Sequence, residues 1–225
     1  MQEAIRETAQ SRLNEITAQM SAAAKLASRV PADITLIAVS KTRSIGEIEP
    51  LIRAGHQSYG ENRIQEAQTK WPELRNLNAG IVLHLIGQLQ SNKAAEAVSM
   101  FDVIHSLDRL SLATALGRAM RDQGRFLPCF IQVNIGAEPQ KGGCAIEALS
   151  ELLAATKAEN IPVAGLMCLP PADIEPAPYF ALLAELSARY GLDGLSMGMS
   201  GDYQTAIMLG ATHIRVGSAL FGERG

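Results

Sequence analysis

Short apolar runs recur along the chain at regular intervals, and polar or turn-forming residues bound each of them. Runs of this length, rich in Ile, Val and Leu, are typical of strands that are buried in a parallel sheet. They predict strands over residues 34–40, 57–60, 81–87, 102–106, 129–134, 163–168, 195–199 and 213–217. The second run is short and polar, so its pattern is the weakest of the set.

Between these runs, apolar positions follow the three-to-four-residue spacing of one helix face. The spacing predicts helices over 44–54, 63–71, 91–98, 109–121, 146–158, 179–190 and 203–209, and an opening amphipathic helix over 3–29. Strands that alternate with helices in this way indicate an α/β fold, a single TIM (β/α)8 barrel with an extra N-terminal helix. A doubly wound sheet is the alternative, but the sequence carries no nucleotide-binding fingerprint. We therefore expect residues 1–225 to form one barrel domain.

Composition and charge exclude several classes of protein. A hydrophobic content of 47% provides for a sizeable core, and a net charge of −3 without a basic run argues against a nucleic-acid surface. The three cysteines lack the spacing of a zinc site or a disulfide framework, which favours a reducing cytoplasm and no bound metal. No signal peptide is recognisable, and no apolar segment approaches the ~20 residues that cross a membrane.

Lys41 is the first candidate for chemistry, because barrels place their reactive groups at the C-terminal ends of strands. The two-residue period of a strand puts Ile37, Val39 and Lys41 on one face. If that face looks into the barrel, desolvation favours the neutral amine, which is the form that attacks an aldehyde. A solvated lysine at the start of a loop is the alternative.

The last two strand ends predict an anion site. In the final strand the apolar residues on either side can pack under helices, which turns Arg215 inward, where a guanidinium requires an anion or an acceptor. Ser200 follows strand seven, and Gly217 and Ser218 follow strand eight, which is where TIM barrels usually bind phosphate. Ordinary tight turns have the same composition.

A nucleophilic lysine, a phosphate cradle and an inward arginine are together the parts that a pyridoxal phosphate site needs. The lysine captures the aldehyde, the cradle anchors the phosphate and the arginine contacts the pyridine nitrogen. A barrel enzyme for phosphorylated sugars or nucleotides with an aldolase-type lysine has similar parts and stays open at this point.

Several segments, from the first strand to the end of the chain, resemble the pyridoxal phosphate homeostasis proteins of the YggS/PROSC type. They are AVSKT (38–42), YGEN (59–62), QE (65–66), HLIGQLQSNK (84–93), HSLDR (105–109), QVNI (132–135), GLM (165–167), SMGMS (196–200) and RVGSALFG (215–222).

This resemblance implies a barrel like the N-terminal domain of alanine racemase, with Lys41 as the lysine that forms a Schiff base with pyridoxal 5'-phosphate. It implies that Ser200, Gly217 and Ser218 contact the phosphate. It also implies that Arg215 faces the pyridine nitrogen.

Three further positions follow from the resemblance. Asn62 and His84 are implied to line the pocket. Family members carry a basic residue near Lys141, associated with a secondary cofactor contact, although a mobile solvated lysine fits the sequence equally. Members commonly have Thr in place of Ser218, and the hydroxyl that survives here should keep phosphate binding.

The resemblance and the chemistry together favour a carrier over an enzyme. Racemisation requires acid/base groups on both faces of the substrate, and we do not expect a counterpart of the tyrosine that, as the resemblance implies, a second domain of the racemase supplies for one face. We expect no catalytic residues, and a cytoplasmic, monomeric protein of vitamin B6 homeostasis that binds pyridoxal phosphate, with apoenzymes as candidate partners. A low-activity amino-acid racemase that uses Lys41 and a residue such as His84 is the rival hypothesis.

Overall fold

Eight parallel strands close into a barrel in the order in which they occur along the chain. The computed structural model describes residues 2–222, and the side chains from residue 8 onward. The strands are β1 (Thr35–Val39), β2 (Ser58–Glu61), β3 (Val82–Leu85), β4 (Val103–Leu107), β5 (Cys129–Val133), β6 (Val163–Cys168), β7 (Gly194–Ser196) and β8 (His213–Val216). Because β8 pairs with β1, the predicted TIM barrel is confirmed and the doubly wound alternative is excluded.

The helices surround the barrel at the predicted positions. They are α1 (Gln2–Leu26), α2 (Ile45–Arg53), α3 (Ile64–Leu74), α4 (Ala94–Met100), α5 (Leu110–Gln123), α6 (Leu149–Ala158), α7 (Ala177–Arg189), α8 (Tyr203–Met208) and α9 (Ser218–Phe221). Short 3₁₀ turns at Ser91–Lys93 and Ile146–Ala148 form the starts of two predicted helices. The four-residue helix α9 was not predicted.

Side chains alternate between the two surfaces of the barrel wall. On β8, Ile214 and Val216 belong to the apolar layer between the strands and the helices. Arg215 lies between them in sequence and points into the barrel, where it contacts Ser196 and Cys168. The strand period therefore places a guanidinium inside the barrel, as the sequence predicted.

Helix α1 completes the ring of helices where the eighth βα unit is short. It packs on α2, α8 and α9. Its buried positions include Ile16, Met20 and Ala24. Because α9 has only four residues, α1 covers apolar surface of the barrel that a longer eighth helix would cover.

The sequence predicted neither a disulfide framework nor a membrane-spanning segment. Cys129, Cys144 and Cys168 are free thiols and are buried. Within residues 2–222, no helix has the length and apolar character needed to cross a bilayer.

Candidate functional site

A cavity of about 780 Å³ opens at the C-terminal end of the barrel strands. Its wall contains six of the seven residues that the sequence and the resemblance singled out: Lys41, Asn62, Ser200, Arg215, Gly217 and Ser218. The loops that follow β1, β2, β7 and β8 thus bring together residues from both ends of the chain. A cavity of this size is in the range of small-molecule sites.

Lys41 lies two residues after the end of β1 and is half-buried in the cavity wall. Val39, on the same face of the strand, lines the cavity beside it. The loop turns back at once, since the N–H of Arg43 donates to the carbonyl of Ser40 at 3.1 Å. Arg43 also donates from Nη2 to the carbonyl of Gly222 at 2.5 Å, so the Lys41 loop is tied to the end of α9.

Arg215 is 4% exposed and is held by two acceptors. Its Nη1 donates to Ser196 Oγ at 2.6 Å and its Nη2 donates to the carbonyl of Cys168 at 2.9 Å. Burial lowers the pKa of Arg215, but a guanidinium remains charged in proteins. Ser196 Oγ, which accepts from the arginine, also lies 2.9 Å from His105 Nδ1.

The loops after β7 and β8 are joined to each other by hydrogen bonds. The N–H of Gly217 donates to Ser200 Oγ at 3.2 Å, and the N–H of Arg215 donates to the carbonyl of Gly198 at 2.9 Å. Gly198 has a φ of +93°, and a Cβ there would lie 2.6 Å from the side chain of Ala206. Glycine is therefore required at this turn, which sets the position of Ser200 at the cavity.

His84 does not line the cavity, so that expectation is corrected. Its ring is buried in the barrel interior, where Nδ1 lies 2.9 Å from His105 Nε2. Burial, aided by the nearby His213, lowers the pKa of His84 to about 3. Ile86, two residues further along the chain, lines the cavity instead. The residue implied by the resemblance thus lies one inward-facing position deeper in the barrel than the residue that lines the cavity.

The proline-rich loop after β6 was not foreseen as part of the site. It contributes Leu169, Pro170 and Ile174 to the cavity wall. Lys141 also lines the cavity, and its Nζ donates to the carbonyl of Pro170 at 2.9 Å and pairs with Glu138 at 2.6 Å. Loop residues of this kind carry no periodic signal, so the sequence indicated their existence but not their placement.

The fold and this cavity define a TIM barrel whose C-terminal cavity is lined by a lysine just after the first strand and an arginine on the last. Residues 12–225 match the family described as alanine racemase, N-terminal domain. Pyridoxal phosphate homeostasis proteins of Pseudomonas aeruginosa and Escherichia coli K12 are 40% and 38% identical to the chain, over 93–95% of its length and of theirs. The chain belongs to the family of pyridoxal phosphate homeostasis proteins.

Solved structures agree with this assignment. PipY of Synechococcus elongatus, solved with PLP bound, is 37% identical with a TM-score of 0.82, and the match covers 95% of this chain and 100% of PipY. An alanine racemase of Clostridium difficile is 15% identical with a TM-score of 0.73, and the match covers 97% of this chain and 57% of the racemase. The second likeness shows a shared fold only.

Proposed function

We propose that this chain binds pyridoxal phosphate in the cavity, holds it as a Schiff base on Lys41 and serves intracellular vitamin B6 homeostasis. The observation that carries the proposal is that Lys41 from β1 and Arg215 from β8 line the same cavity. The names of the curated relatives and the PLP-bound PipY structure support it.

The polar groups of the cavity fit the functional groups of the cofactor. The hydroxyls of Ser200 and Ser218, with the backbone of Gly217, stand on the loops where TIM barrels bind phosphate. Arg215 offers only donors and suits the pyridine nitrogen as an acceptor. Lys41 supplies the amine for the aldehyde.

The covalent step requires little from the protein beyond placing that amine. The cofactor supplies an aldehyde carbon, to which the neutral amine of Lys41 adds, and the carbonyl oxygen leaves as water so that C=N replaces C=O. Val39 and Ile86 present apolar side chains to the same cavity, which limits water there.

A carrier role fits the cavity better than strong catalysis. An arginine at the pyridine nitrogen leaves that nitrogen unprotonated and weakens the ring as an electron sink. Among the described residues that line the cavity there is no tyrosine or histidine to serve as a second acid/base group. Lys141 is engaged by Glu138, and Asp202 accepts the N–H of Met199 at 2.5 Å.

Substitution of the lysine tests the proposal. Lys41→Ala should abolish the imine absorption band of the protein mixed with pyridoxal phosphate, because Lys141, the other amine among the described residues of the cavity wall, is held by Glu138 and by the carbonyl of Pro170. Lys157→Ala, an exposed lysine on α6, should keep the band. An unchanged band in Lys41→Ala would refute the assignment.

The rival racemase activity is tested separately. The loaded protein is incubated with L-alanine, and chiral chromatography measures the D-isomer. We expect no turnover that depends on Lys41. Such turnover, absent in Lys41→Ala, would favour the racemase.

We further propose a cytoplasmic, monomeric protein that passes the cofactor to pyridoxal phosphate-dependent apoenzymes. Three buried free thiols support a reducing compartment. Sedimentation velocity of the purified protein tests the monomer, and a dimer at micromolar concentration would contradict it.

A further inference from the structure

A buried ion pair lies beneath the Lys41 loop. Glu61, at the end of β2, has no exposed surface, and Lys70 on α3 is 7% exposed. Lys70 Nζ lies 2.8 Å from Glu61 Oε1. The indole N–H of Trp71 donates to the same carboxylate oxygen at 3.1 Å.

The ion pair forms hydrogen bonds with the residues before and after Lys41. Lys70 Nζ donates to the carbonyl of Ser40 at 3.0 Å and to the carbonyl of Arg43 at 3.2 Å. The Ser40 hydroxyl donates to Glu61 Oε1 at 2.8 Å. Lys70 thus holds a carbonyl on either side of Lys41, and Glu61 holds the side chain of Ser40.

A second carboxylate fixes the residue that follows Lys41. Glu66 Oε1 accepts the backbone N–H of Thr42 and also pairs with Lys70 at 2.7 Å. Thr42 has a φ of +62°, a left-handed conformation that costs about 1 kcal/mol for a residue with a side chain. The Glu66 contact compensates that strain and keeps the turn in one conformation.

Stability alone is a poor reason for this arrangement. Burying two charges costs several kcal/mol in desolvation, and apolar side chains of similar volume are often equally stabilising. Glu61 Oε2 has no hydrogen-bond partner among the residues that the structure describes, and burial raises the pKa of Glu61 despite Lys70. An apolar pair would not provide the hydrogen bonds that the charged residues make to residues 40, 42 and 43.

We propose that Lys70, together with Glu61 and Glu66, is a positioning residue that holds the Lys41 amine where it meets an aldehyde in the cavity. The inference rests on the proposed function and adds to it three residues that do not line the cavity. Since the phosphate loops belong to β7 and β8, on the other side of β1, loss of this network should weaken imine formation and spare phosphate binding.

The test compares two ligands on one variant. Pyridoxine 5'-phosphate has an alcohol in place of the aldehyde of pyridoxal phosphate, so it fills the site without forming an imine. The double variant Glu61→Leu/Lys70→Met replaces the ion pair with apolar side chains and should keep the fold. We expect its affinity for pyridoxal phosphate, and its rate of imine formation, to fall roughly tenfold or more, with pyridoxine phosphate affinity within about twofold.

Glu66→Ala is the second variant, because Glu66 is only half-buried and its loss threatens the fold less. It should lower pyridoxal phosphate affinity in the same selective way, roughly threefold. A matched control is Lys93→Met, which removes a surface lysine paired with Glu96 and should change neither affinity.

Equal losses for both ligands would show a merely structural network and overturn the inference, as would unchanged imine formation in both variants. A wild-type protein that binds pyridoxine phosphate but forms no imine would instead overturn the proposed Schiff base.

Discussion

At the scale of single residues, the barrel interior holds neutral histidines under the cavity. Burial lowers the pKa of His84 to about 3 and that of His213 to about 4. A histidine with a lowered folded-state pKa takes up a proton on unfolding, so its stabilising effect is full above the unfolded pKa of about 6.5 and is lost as the pH falls toward the folded value.

The free energy of unfolding should therefore fall by up to about 1.4 kcal/mol per pH unit for each such histidine between about pH 6 and pH 5. Urea unfolding at several pH values measures the slope. In His84→Leu the slope should show that the protein takes up one proton fewer on unfolding. An identical slope in the variant and the wild type would contradict the neutral, buried state of His84.

Arg215 is the second residue whose role can be tested by a single substitution. Arg215→Met removes the donor proposed for the pyridine nitrogen, so pyridoxal phosphate affinity should fall roughly tenfold, as expected for a lost hydrogen bond to a charged group. Arg53→Met, an exposed arginine paired with Glu49 on α2, is the control and should bind normally. Equilibrium dialysis measures both variants, and normal binding by Arg215→Met would contradict the assignment.

At the scale of elements, helix α1 stabilises the barrel by closing its helical ring. Ile16 on α1 is 3% exposed, whereas Leu26 on the same helix is 80% exposed. Ile16→Ala should lower the free energy of unfolding by about 2–4 kcal/mol, and Leu26→Ala should change it by less than about 0.5 kcal/mol. Urea midpoints compare the two variants, and similar effects would mean that α1 does not pack as described.

The elements also show what the sequence could predict. Strand period and apolar neighbours correctly turned Arg215 inward, because the alternation on β8 is unambiguous. The resemblance placed His84 at the pocket, but the strand period does not test that placement, because His84 and Ile86 share a face and the period does not tell which of them reaches the cavity. Helix α9 was missed because four residues contain too few turns for a helical period.

The ion pair beneath Lys41 could not be predicted either. Glu61 ends a strand and Lys70 lies on the following helix, so their 2.8 Å contact depends on how α3 packs against β2. The sequence pattern does not distinguish Lys70 from the other polar positions of an amphipathic helix. Only the packed barrel shows that it is buried.

At the scale of the whole molecule, the site exists only when the barrel is closed. Lys41 follows β1, Arg215 is on β8, and the two strands are neighbours through the β1–β8 pairing. A ligand that binds this site binds the folded chain alone and stabilises it. Pyridoxal phosphate at a hundredfold excess over its Kd should add about 2.7 kcal/mol, or about 5–10 °C in Tm.

Thermal unfolding with and without the cofactor checks this prediction. Lys41→Ala should show a smaller rise, because phosphate contacts remain and the covalent link is lost. A wild-type Tm that does not respond to pyridoxal phosphate would contradict binding at this site.

The most direct measurement is the position of the covalent link. Wild-type protein is mixed with pyridoxal phosphate, reduced with borohydride and digested, and the peptides are mapped by mass spectrometry. The reduced phosphopyridoxyl group should be found on the peptide that contains Lys41. Recovery of the group mainly on another lysine, such as Lys141, would contradict a Schiff base on Lys41. A failure to find any adduct would contradict it as well.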